Sequence, residues 1–283
     1  MMSDGTLKDK LTKILDQDIF SIAPLSAAKD AEIFKVALVD GQEYVAKRAD
    51  QGLDIEAKML TTLSDAADIP IPDIHYTDPQ LIVMQFIVSD WELSDTTQKQ
   101  LGSYIGGLHR VSSETYGYDY DTSVAGLPQD NTPSENWADF FIHQRILPMA
   151  QRALAAEHID KALMKKIEKL MKKTPTILGA GNPPSLIHGD LWTGNVLPYR
   201  GEIKAFLDPA LYYADPEIEL AYATMTHTID QSFFAAYEKK ITIRPGFFEE
   251  RRDLYTLYPL LVQTNIFGSS YARKVKRVLD KFL

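Results

Sequence analysis

One short stretch of the chain carries polar residues whose types and spacing suit the transfer of a phosphoryl group. Residues 186–195 read apolar-apolar-His-Gly-Asp-x-x-x-x-Asn, and a second apolar pair leads into Asp208, 13 residues after Asn195. In such a site one carboxylate, Asp190, accepts or orients the proton of the acceptor hydroxyl. The amide of Asn195 and the carboxylate of Asp208 supply hard oxygen ligands for Mg²⁺. The pattern therefore predicts a metal-dependent phosphate site.

The spacing of these residues resembles the kinase catalytic loop, H-R-D-x-x-x-x-N, with Gly189 in the place of the arginine. Asp208-Pro209-Ala210 then stands where kinases have D-F-G. Taken singly, each residue has an ordinary structural role, since a lone aspartate in a loop is usually a turn residue. Their joint occurrence favours a kinase, in which we give His188 only an orienting role.

A lysine near the amino end provides an independent check on this reading. Val45-Ala46-Lys47 is of the V-A-x-K type, and Glu56 lies near the start of the next predicted helix. In kinases such a lysine binds the α- and β-phosphates and a helix carboxylate holds it. We therefore expect Lys47 and Glu56 to pair. The strand at 81–84 would lead to a hinge at which Met84, Gln85, Phe86 and Ile87 receive the adenine.

The segment expected to cover the phosphates departs from the usual pattern. Such loops use glycines so that the backbone can approach the nucleotide, but residues 24–31 contain none. Ser26 is our candidate for a phosphate contact there, with Lys29 as a second. The missing glycines keep open the alternative of a degenerate kinase that only binds.

The elements that position these residues follow from the hydrophobic pattern and predict an α+β fold. We expect helices at 6–16 and 54–64, a hairpin of strands 33–39 and 43–48 around Asp40-Gly41, and a strand at 81–84. This order predicts a small sheet carrying one helix. Long helices follow, with Pro148 ending or kinking one of them. We therefore divide the chain into a nucleotide-binding lobe, 1–88, and a mainly helical catalytic and substrate-binding lobe, 89–283.

The wider sequence resembles the fructosamine/ketosamine-3-kinase family, relatives of the aminoglycoside phosphotransferases. Trp192 in the catalytic loop and Tyr212-Tyr213 after the metal aspartate carry more of this resemblance than H-G-D alone. Further matches are the segments 56–60, 101–110, 136–141, 216–221, 254–258 and 267–268, so the resemblance spans most of the chain. The chain differs from the family's usual E-x-D-L-A in having Glu219 as the second acid, which keeps a carboxylate there.

The resemblance implies a two-lobed protein-kinase-like fold with ATP and Mg²⁺ held between the lobes. It also implies phosphorylation of the 3-hydroxyl of a ketosamine, free or on a glycated amine, after which the unstable product loses its sugar. Trp192 and Tyr213 are candidates to stack on the sugar, and Asp215 to bind its hydroxyls. Two alternatives stay open: a kinase for an aminoglycoside, choline or homoserine, and a pseudokinase that serves as a binding module.

Composition limits the partners of the chain. Its 283 residues carry 30 Lys and Arg against 39 Asp and Glu, a formal net charge of −9, which argues against a nucleic-acid partner. It has no cysteine, which excludes disulfides and thiolate chemistry. Residues 1–5 lack the pattern of a secretory signal and no apolar run is long enough to cross a bilayer. We expect a cytoplasmic protein with a small-molecule substrate, monomeric or weakly dimeric.

Overall fold

A computed structural model describes residues 4–27 and 31–283, with side chains from residue 7 to 25 and from residue 31 onward. The chain divides into two units. The first comprises Met1–Glu92 with Asn195–Pro209, and the second Leu93–Gly194 with Ala210–Leu283. The predicted division has a single boundary after residue 88, whereas each unit is built from two separate stretches of chain.

The bounds of the elements follow from the backbone hydrogen bonds. The strands are β1 Ile19–Ala27, β2 Ala31–Leu38, β3 Glu43–Ala49, β4 Ile74–Asp78, β5 Leu81–Gln85, β6 Thr122–Val124, β7 Leu127–Gln129, β8 Ser185–Ile187, β9 Val196–Tyr199, β10 Glu202–Phe206 and β11 Tyr212–Ala214. The helices are α1 Asp4–Leu15, α2 Leu53–Ala67, α3 Asp95–Leu108, α4 Trp137–Phe140, α5 Leu147–Ala155, α6 Lys161–Met171, α7 Thr174–Leu178, α8 Glu217–Met225, α9 Gln231–Tyr237, α10 Arg252–Tyr255, α11 Leu257–Phe267 and α12 Ser269–Phe282. None of them, within the described ranges, is both long and apolar enough to cross a membrane.

A five-stranded antiparallel sheet in the order β1-β2-β3-β5-β4 forms the centre of the first unit. Side chains of successive strand residues point to opposite faces, so β3 presents Tyr44 and Ala46 to one face and Val45 and Lys47 to the other. Apolar residues of α1 pack with the first face and those of α2 with the second. The predicted sheet with α2 is therefore present, and α1 packs on the opposite face.

Part of the predicted phosphate loop belongs to a strand. Residues 24–27 form the end of β1 and pair with β2, although the whole of 24–31 is predicted to be a loop. Pro24 lies at a β-bulge of this edge strand, where the missing N–H of a proline is tolerated. Lys29 and the side chain of Ser26 lie outside the described residues, so their predicted phosphate contacts stay predictions.

The second unit is mainly helical and contains one long helix with a distorted centre. Between α4 and α5, residues Phe141–Ile146 form a π-helical turn, and Pro148 lies in the first turn of α5. A proline inside a regular helix removes a backbone hydrogen bond and clashes with the preceding turn. Here the wider π-helical turn ends directly before the turn that contains this proline. Pro148 therefore does not end the helix, contrary to one of the two expectations.

Candidate active site

The ammonium group of Lys47 contacts two carboxylates in the first unit. Its Nζ lies 2.7 Å from Glu56 Oε2 and 2.7 Å from Asp208 Oδ1. Lys47 is on the α2 face of β3, and Glu56 is in the first turn of α2. The side chains of Lys47 and Glu56 are only 11% and 13% exposed, whereas that of Asp208 is 42% exposed. The structure thus brings together the predicted lysine, the helix carboxylate and the second aspartate of the motif.

A hairpin carries Asp208 to Lys47. Strands β9 and β10 pair antiparallel, and the N–H of Phe206 donates to the carbonyl of Pro70 at 2.8 Å, which fixes the end of β10 within the first unit. The N–H of Leu207 donates to the carbonyl of Asn195 at 2.9 Å. The second bond joins Asn195 to the residue before Asp208, so the backbone brings these two parts of the motif together.

Asp208 has a backbone conformation that most residues avoid. Its φ is +49°, in the left-handed region, which is costly for a residue with a side chain. Such outliers persist only where the surroundings hold them, and they concentrate at functional sites. The ion pair with Lys47 on one side and the β10 hairpin on the other supply that constraint.

The three charged groups shift one another's protonation. Burial by itself would lower the pKa of Lys47, but the charges of Asp208 and Glu56 outweigh it and raise the pKa above its ordinary value. Burial, with the charge of Asp208, raises the pKa of Glu56 to about 7, although Lys47 acts in the opposite direction. Two carboxylates share one cation, so the cluster holds an excess of negative charge that favours a further cation.

The residues near this cluster fit Mg²⁺ bound together with phosphates. Asn195 is buried and Asp208 is half-exposed, and both offer hard oxygen atoms. Mg²⁺ uses one or two protein carboxylates and completes its shell with water and substrate phosphates. The described part of the chain has no group of three or more His, Asp or Glu side chains that could hold a metal ion without further ligands. The predicted ligand pair therefore suits the metal, and its role stays a prediction.

The predicted hinge follows β5 directly. Met84 is buried in the sheet opposite Val45. The N–H of Gln85 donates to Asp73 at 2.8 Å and that of Phe86 to Glu43 at 3.2 Å, so both donors are used by neighbouring backbone. Ile87 is the first residue after the strand whose N–H makes no such bond within the described residues. Of the predicted hinge residues, Gln85 and Phe86 thus have their backbone donors engaged and Ile87 does not, and the contact with adenine stays a prediction.

The catalytic loop in the second unit is held by a buried carboxylate. Strand β8 leads into the loop, and Glu219 of α8 accepts the backbone N–H groups of His188 at 3.2 Å and Gly189 at 2.6 Å. The same carboxylate bonds His109 Nε2 at 2.8 Å. Burial opposes its charge, but the hydrogen bond and charge of His109, with help from His188 and the Gly189 N–H, lower the pKa of Glu219. Glu219 stays ionised and fixes the loop that ends in Asp190.

Gly189 is required by the space around this loop. Its φ is +84°, and a Cβ atom there would lie 2.0 Å from the carbonyl oxygen of Ala210. The N–H of Ala210 donates to the carbonyl of His188 at 2.8 Å, so the two backbones pack directly against each other. The arginine of the usual kinase loop has no room here, which explains the H-G-D form of the motif.

Asp190 faces a cavity of about 340 Å³ within the second unit. The hydroxyl of Tyr222 on α8 hydrogen-bonds to Asp190; burial, followed by the charge of Asp190 and this bond, raises the pKa of Tyr222. Trp192 lines the cavity. A Cβ atom added at Gly194 would lie 2.3 Å from the ring of Trp192, so this ring packs directly against the glycine. Tyr222 is not among the predicted site residues, although it follows Glu219 by three residues and so lies on the same helix face.

Two predicted substrate residues lie outside this cavity. Tyr213 pairs with Leu186 across the β8–β11 ladder and its ring lies 5.8 Å from that of Tyr118. Asp215 is fully buried and accepts two hydrogen bonds from Asn182, at 2.9 and 2.8 Å. Neither is among the residues that line the cavity. The neighbouring Tyr212 is, so the structure brings only Trp192 of the three candidates to Asp190.

Comparison with known proteins identifies the family. The model of the fructosamine kinase family matches residues 39–283 of this chain. The chain belongs to the fructosamine kinase family. A chloroplastic protein-ribulosamine 3-kinase of Arabidopsis thaliana is 30% identical over 236 residues. The match covers 81% of this chain and 71% of the relative. A probable ketoamine kinase of Synechocystis is 30% identical, over 87% and 85% of the two chains.

Solved structures agree with the assignment of this chain to the fructosamine kinase family. A crystal structure from Thermobifida fusca, assigned as a fructosamine-3-kinase, superposes with a TM-score of 0.86 at 25% identity and covers 98% of each chain. The aminoglycoside phosphotransferase APH(4)-Ia, at 17% identity, has a TM-score of 0.65 over 98% of this chain and 99% of its own and shares the fold. The predicted kinase-like α+β fold, the family resemblance and the prediction of a phosphotransferase acting on a hydroxyl group are confirmed.

Proposed function

We propose that this chain transfers the γ-phosphate of ATP to the 3-hydroxyl of a ketosamine, a ketose joined through C1 to an amine. The observation that carries the proposal is the pair of 2.7 Å contacts from Lys47 to Glu56 and Asp208, because this arrangement of lysine, helix carboxylate and metal aspartate is the one that kinases need. The relatives named for ribulosamine and ketoamine support the choice of acceptor.

On this proposal the first unit binds the nucleotide. Lys47 bonds the α- and β-phosphates, and the N–H of Ile87 donates to the adenine. Asn195 and Asp208 hold Mg²⁺, which when bound neutralises charge on the phosphate oxygens. The half-exposed carboxylate of Asp208 and the excess negative charge around Lys47 support this assignment.

Asp190 serves the acceptor. As the oxygen of the 3-hydroxyl forms its bond to the γ-phosphorus, Asp190 accepts the hydroxyl proton, and the bond from that phosphorus to the bridging oxygen breaks to release ADP. Glu219 and Tyr222 fix the loop and the carboxylate during this step. The ketosamine 3-phosphate is unstable and separates into the amine and the sugar part, so the activity amounts to deglycation of the amine.

A panel of acceptors tests the proposal. ADP formation is measured with ATP, Mg²⁺ and, in turn, a ribulosamine, a fructosamine, an aminoglycoside, choline and homoserine, with an Asp190→Asn protein as the control for background hydrolysis. We expect the two ketosamines to give the highest kcat/KM. Preference for one of the other three acceptors would contradict the proposal and favour a different small-molecule kinase. Absence of both turnover and ATP binding would instead favour a pseudokinase.

A further inference from the structure

The cavity beside Asp190 has walls of a different chemistry from its rim. Its most buried apolar and aromatic lining residues are Ile187, Tyr212, Ile218, Tyr258 and Val262, each at most 5% exposed. By contrast Trp192 is 40% and Phe267 61% exposed, and Asp190 is half-buried. The cavity therefore has a solvent-exposed rim with aromatic rings and one reactive carboxylate, and an interior wall that is almost entirely apolar.

One helix face accounts for much of the apolar wall. Pro259, Val262 and Ile266 of α11 recur at helical spacing and all line the cavity, so they form one continuous stripe. Such a stripe normally packs against another element of the fold. Here it is turned toward an open volume of about 340 Å³, which lies at the small end of the range for small-molecule sites.

The charges of the lining limit what can enter. No lysine or arginine lines the cavity in the part of the chain that the structure describes, and its acids are Asp190 and Glu219. Glu219 is already bonded to the backbone of the catalytic loop. A carboxylate on the ligand would therefore meet no cation and would lose its hydration, whereas an ammonium group would be attracted to Asp190.

A sugar alone does not suit this lining. Its hydroxyls need hydrogen-bond partners when they leave water, and the isoleucine and valine side chains of the interior wall supply none. The hydroxyl of Tyr258 already accepts a bond from Gln129. The sugar is better placed at the rim, where Asp190 and Tyr222 carry polar atoms and Trp192 offers a ring face. The interior is then left for the group attached to the amine.

We propose that the acceptor is a low-molecular-weight ketosamine whose amine carries an uncharged apolar group, and that the wall of Ile187, Ile218, Val262 and Ile266 binds this group. The inference rests on the proposed function and specifies its substrate class. The phosphoryl transfer is unchanged: only the amine substituent is selected. A ketosamine on a lysine of a protein, with its polar peptide backbone, is the competing acceptor.

The test compares amine substituents on one and the same ketose. The adducts of methylamine, butylamine, benzylamine and glycine, and a peptide with one glycated lysine, are assayed for kcat/KM by ADP formation with the unaltered chain. We expect a rise of about fourfold for each buried CH₂ from methyl to butyl, and a high value for benzyl. The adduct of glycine, which adds a carboxylate, should fall below that of methylamine.

A pair of matched variants assigns the effect to the cavity. Val262→Thr places a hydroxyl in the apolar wall with little change of shape and should reduce the butyl-to-methyl ratio by about fourfold. Val278→Thr, in the buried face of α12 and outside the cavity lining, should leave that ratio as in the unaltered chain. The order of kcat/KM among the adducts is measured with the unaltered chain. It therefore tests the preference for an apolar amine substituent even if Val262→Thr folds poorly.

The outcomes separate this inference from the proposed function. Equal kcat/KM for the methyl and butyl adducts, or a preference for the glycine adduct or the glycated peptide, would overturn the apolar acceptor and leave the ketosamine kinase intact. Turnover of none of the adducts would overturn both. A rising series that Val262→Thr flattens and Val278→Thr preserves would support the inference.

Discussion

The cluster around Lys47 and the cavity beside Asp190 hold their shape by opposite means. In the cluster, charge-assisted bonds of 2.7 Å join one ammonium to two carboxylates, and such bonds fix both distance and direction. In the cavity, packed apolar side chains of β8, α8 and α11 form the wall, and contacts of this kind are individually weak and without direction.

This difference matches a division of labour in a kinase. The triphosphate and its metal are the same for every acceptor, so the groups that bind them require fixed charges at fixed places. The acceptor varies, and an apolar wall can change by a methyl group without loss of the chemical step. We therefore expect substitutions in the cluster to act on turnover and nucleotide binding, and substitutions in the cavity wall to act on the choice of acceptor.

The largest effect is expected at Asp190, the carboxylate that lines the cavity. Asp190→Asn keeps the shape of the side chain but removes the proposed proton acceptor, so kcat should fall by about 10²–10⁴-fold while ATP still binds. Turnover is measured by ADP formation and ATP affinity by calorimetry. The control Asp139→Asn changes an exposed residue of α4 and should be silent. Full turnover by the Asp190→Asn protein would refute the assignment.

A substitution in the cluster around Lys47 should instead weaken the binding of ATP. Asp208→Asn removes a charge that pairs with Lys47 and the predicted metal carboxylate, so the Mg²⁺-dependent part of ATP affinity should fall at least about a hundredfold. Thermal unfolding with ATP is compared in Mg²⁺ and in EDTA; a ligand at 100 times its Kd stabilises by about 2.7 kcal/mol. If Mg²⁺ strengthens ATP binding equally in both proteins, Asp208 is not a metal ligand.

The cluster was predictable from the sequence because short-range rules place Lys47 and Glu56, and because Asp208 belongs to a recognisable motif. Alternation along β3 places Lys47 on the α2 face, and Glu56 follows in the first turn of that helix. Asp208, the predicted metal ligand, follows the end of β10, as the motif predicts. By contrast β1 was missed because Pro24 reads as a strand breaker, and only the pairing with β2 shows that a bulge accommodates it.

The cavity was not predictable because it depends on register and on long-range packing. Tyr212 and Ile187 are opposite each other across the β8–β11 ladder and both line the cavity, whereas Tyr213 pairs with Leu186 and faces away. A shift of one residue exchanges the two faces of a strand, and the sequence does not state which face meets α11. Val262 is distant in sequence from the catalytic loop and joins it only through packing.

A third test uses pH to examine the cluster. The pKa of Glu56 is raised from 4.5 to about 7 by burial and by Asp208, so the folded state binds more protons than the unfolded state between these values. Stability from this group is therefore present below pH 4.5 and is lost as pH rises through 7. We expect the unfolding free energy to fall across this range by at most about 3 kcal/mol on this account.

Urea unfolding at pH 5 and pH 8 measures this effect. Glu56→Gln cannot titrate, so the difference in stability between the unaltered and variant proteins should favour the unaltered chain more at pH 5 than at pH 8. Glu32→Gln, which removes a 40% exposed partner of Arg48, should retain the pH dependence of the unaltered chain. The same slope in the Glu56→Gln protein would show that this carboxyl does not titrate in the range.

Tyr222 lies on the cavity side of the comparison, and its substitution should have the smallest effect. Tyr222→Phe removes the hydroxyl that bonds Asp190 but keeps the ring that lines the cavity. The loss of one bond to a charged group should lower kcat about tenfold, while the KM for a ketosamine with an apolar amine changes little. Tyr199→Phe, on β9, is the matched control. A rise in that KM with kcat unchanged would mean that Tyr222 serves acceptor binding rather than the positioning of Asp190.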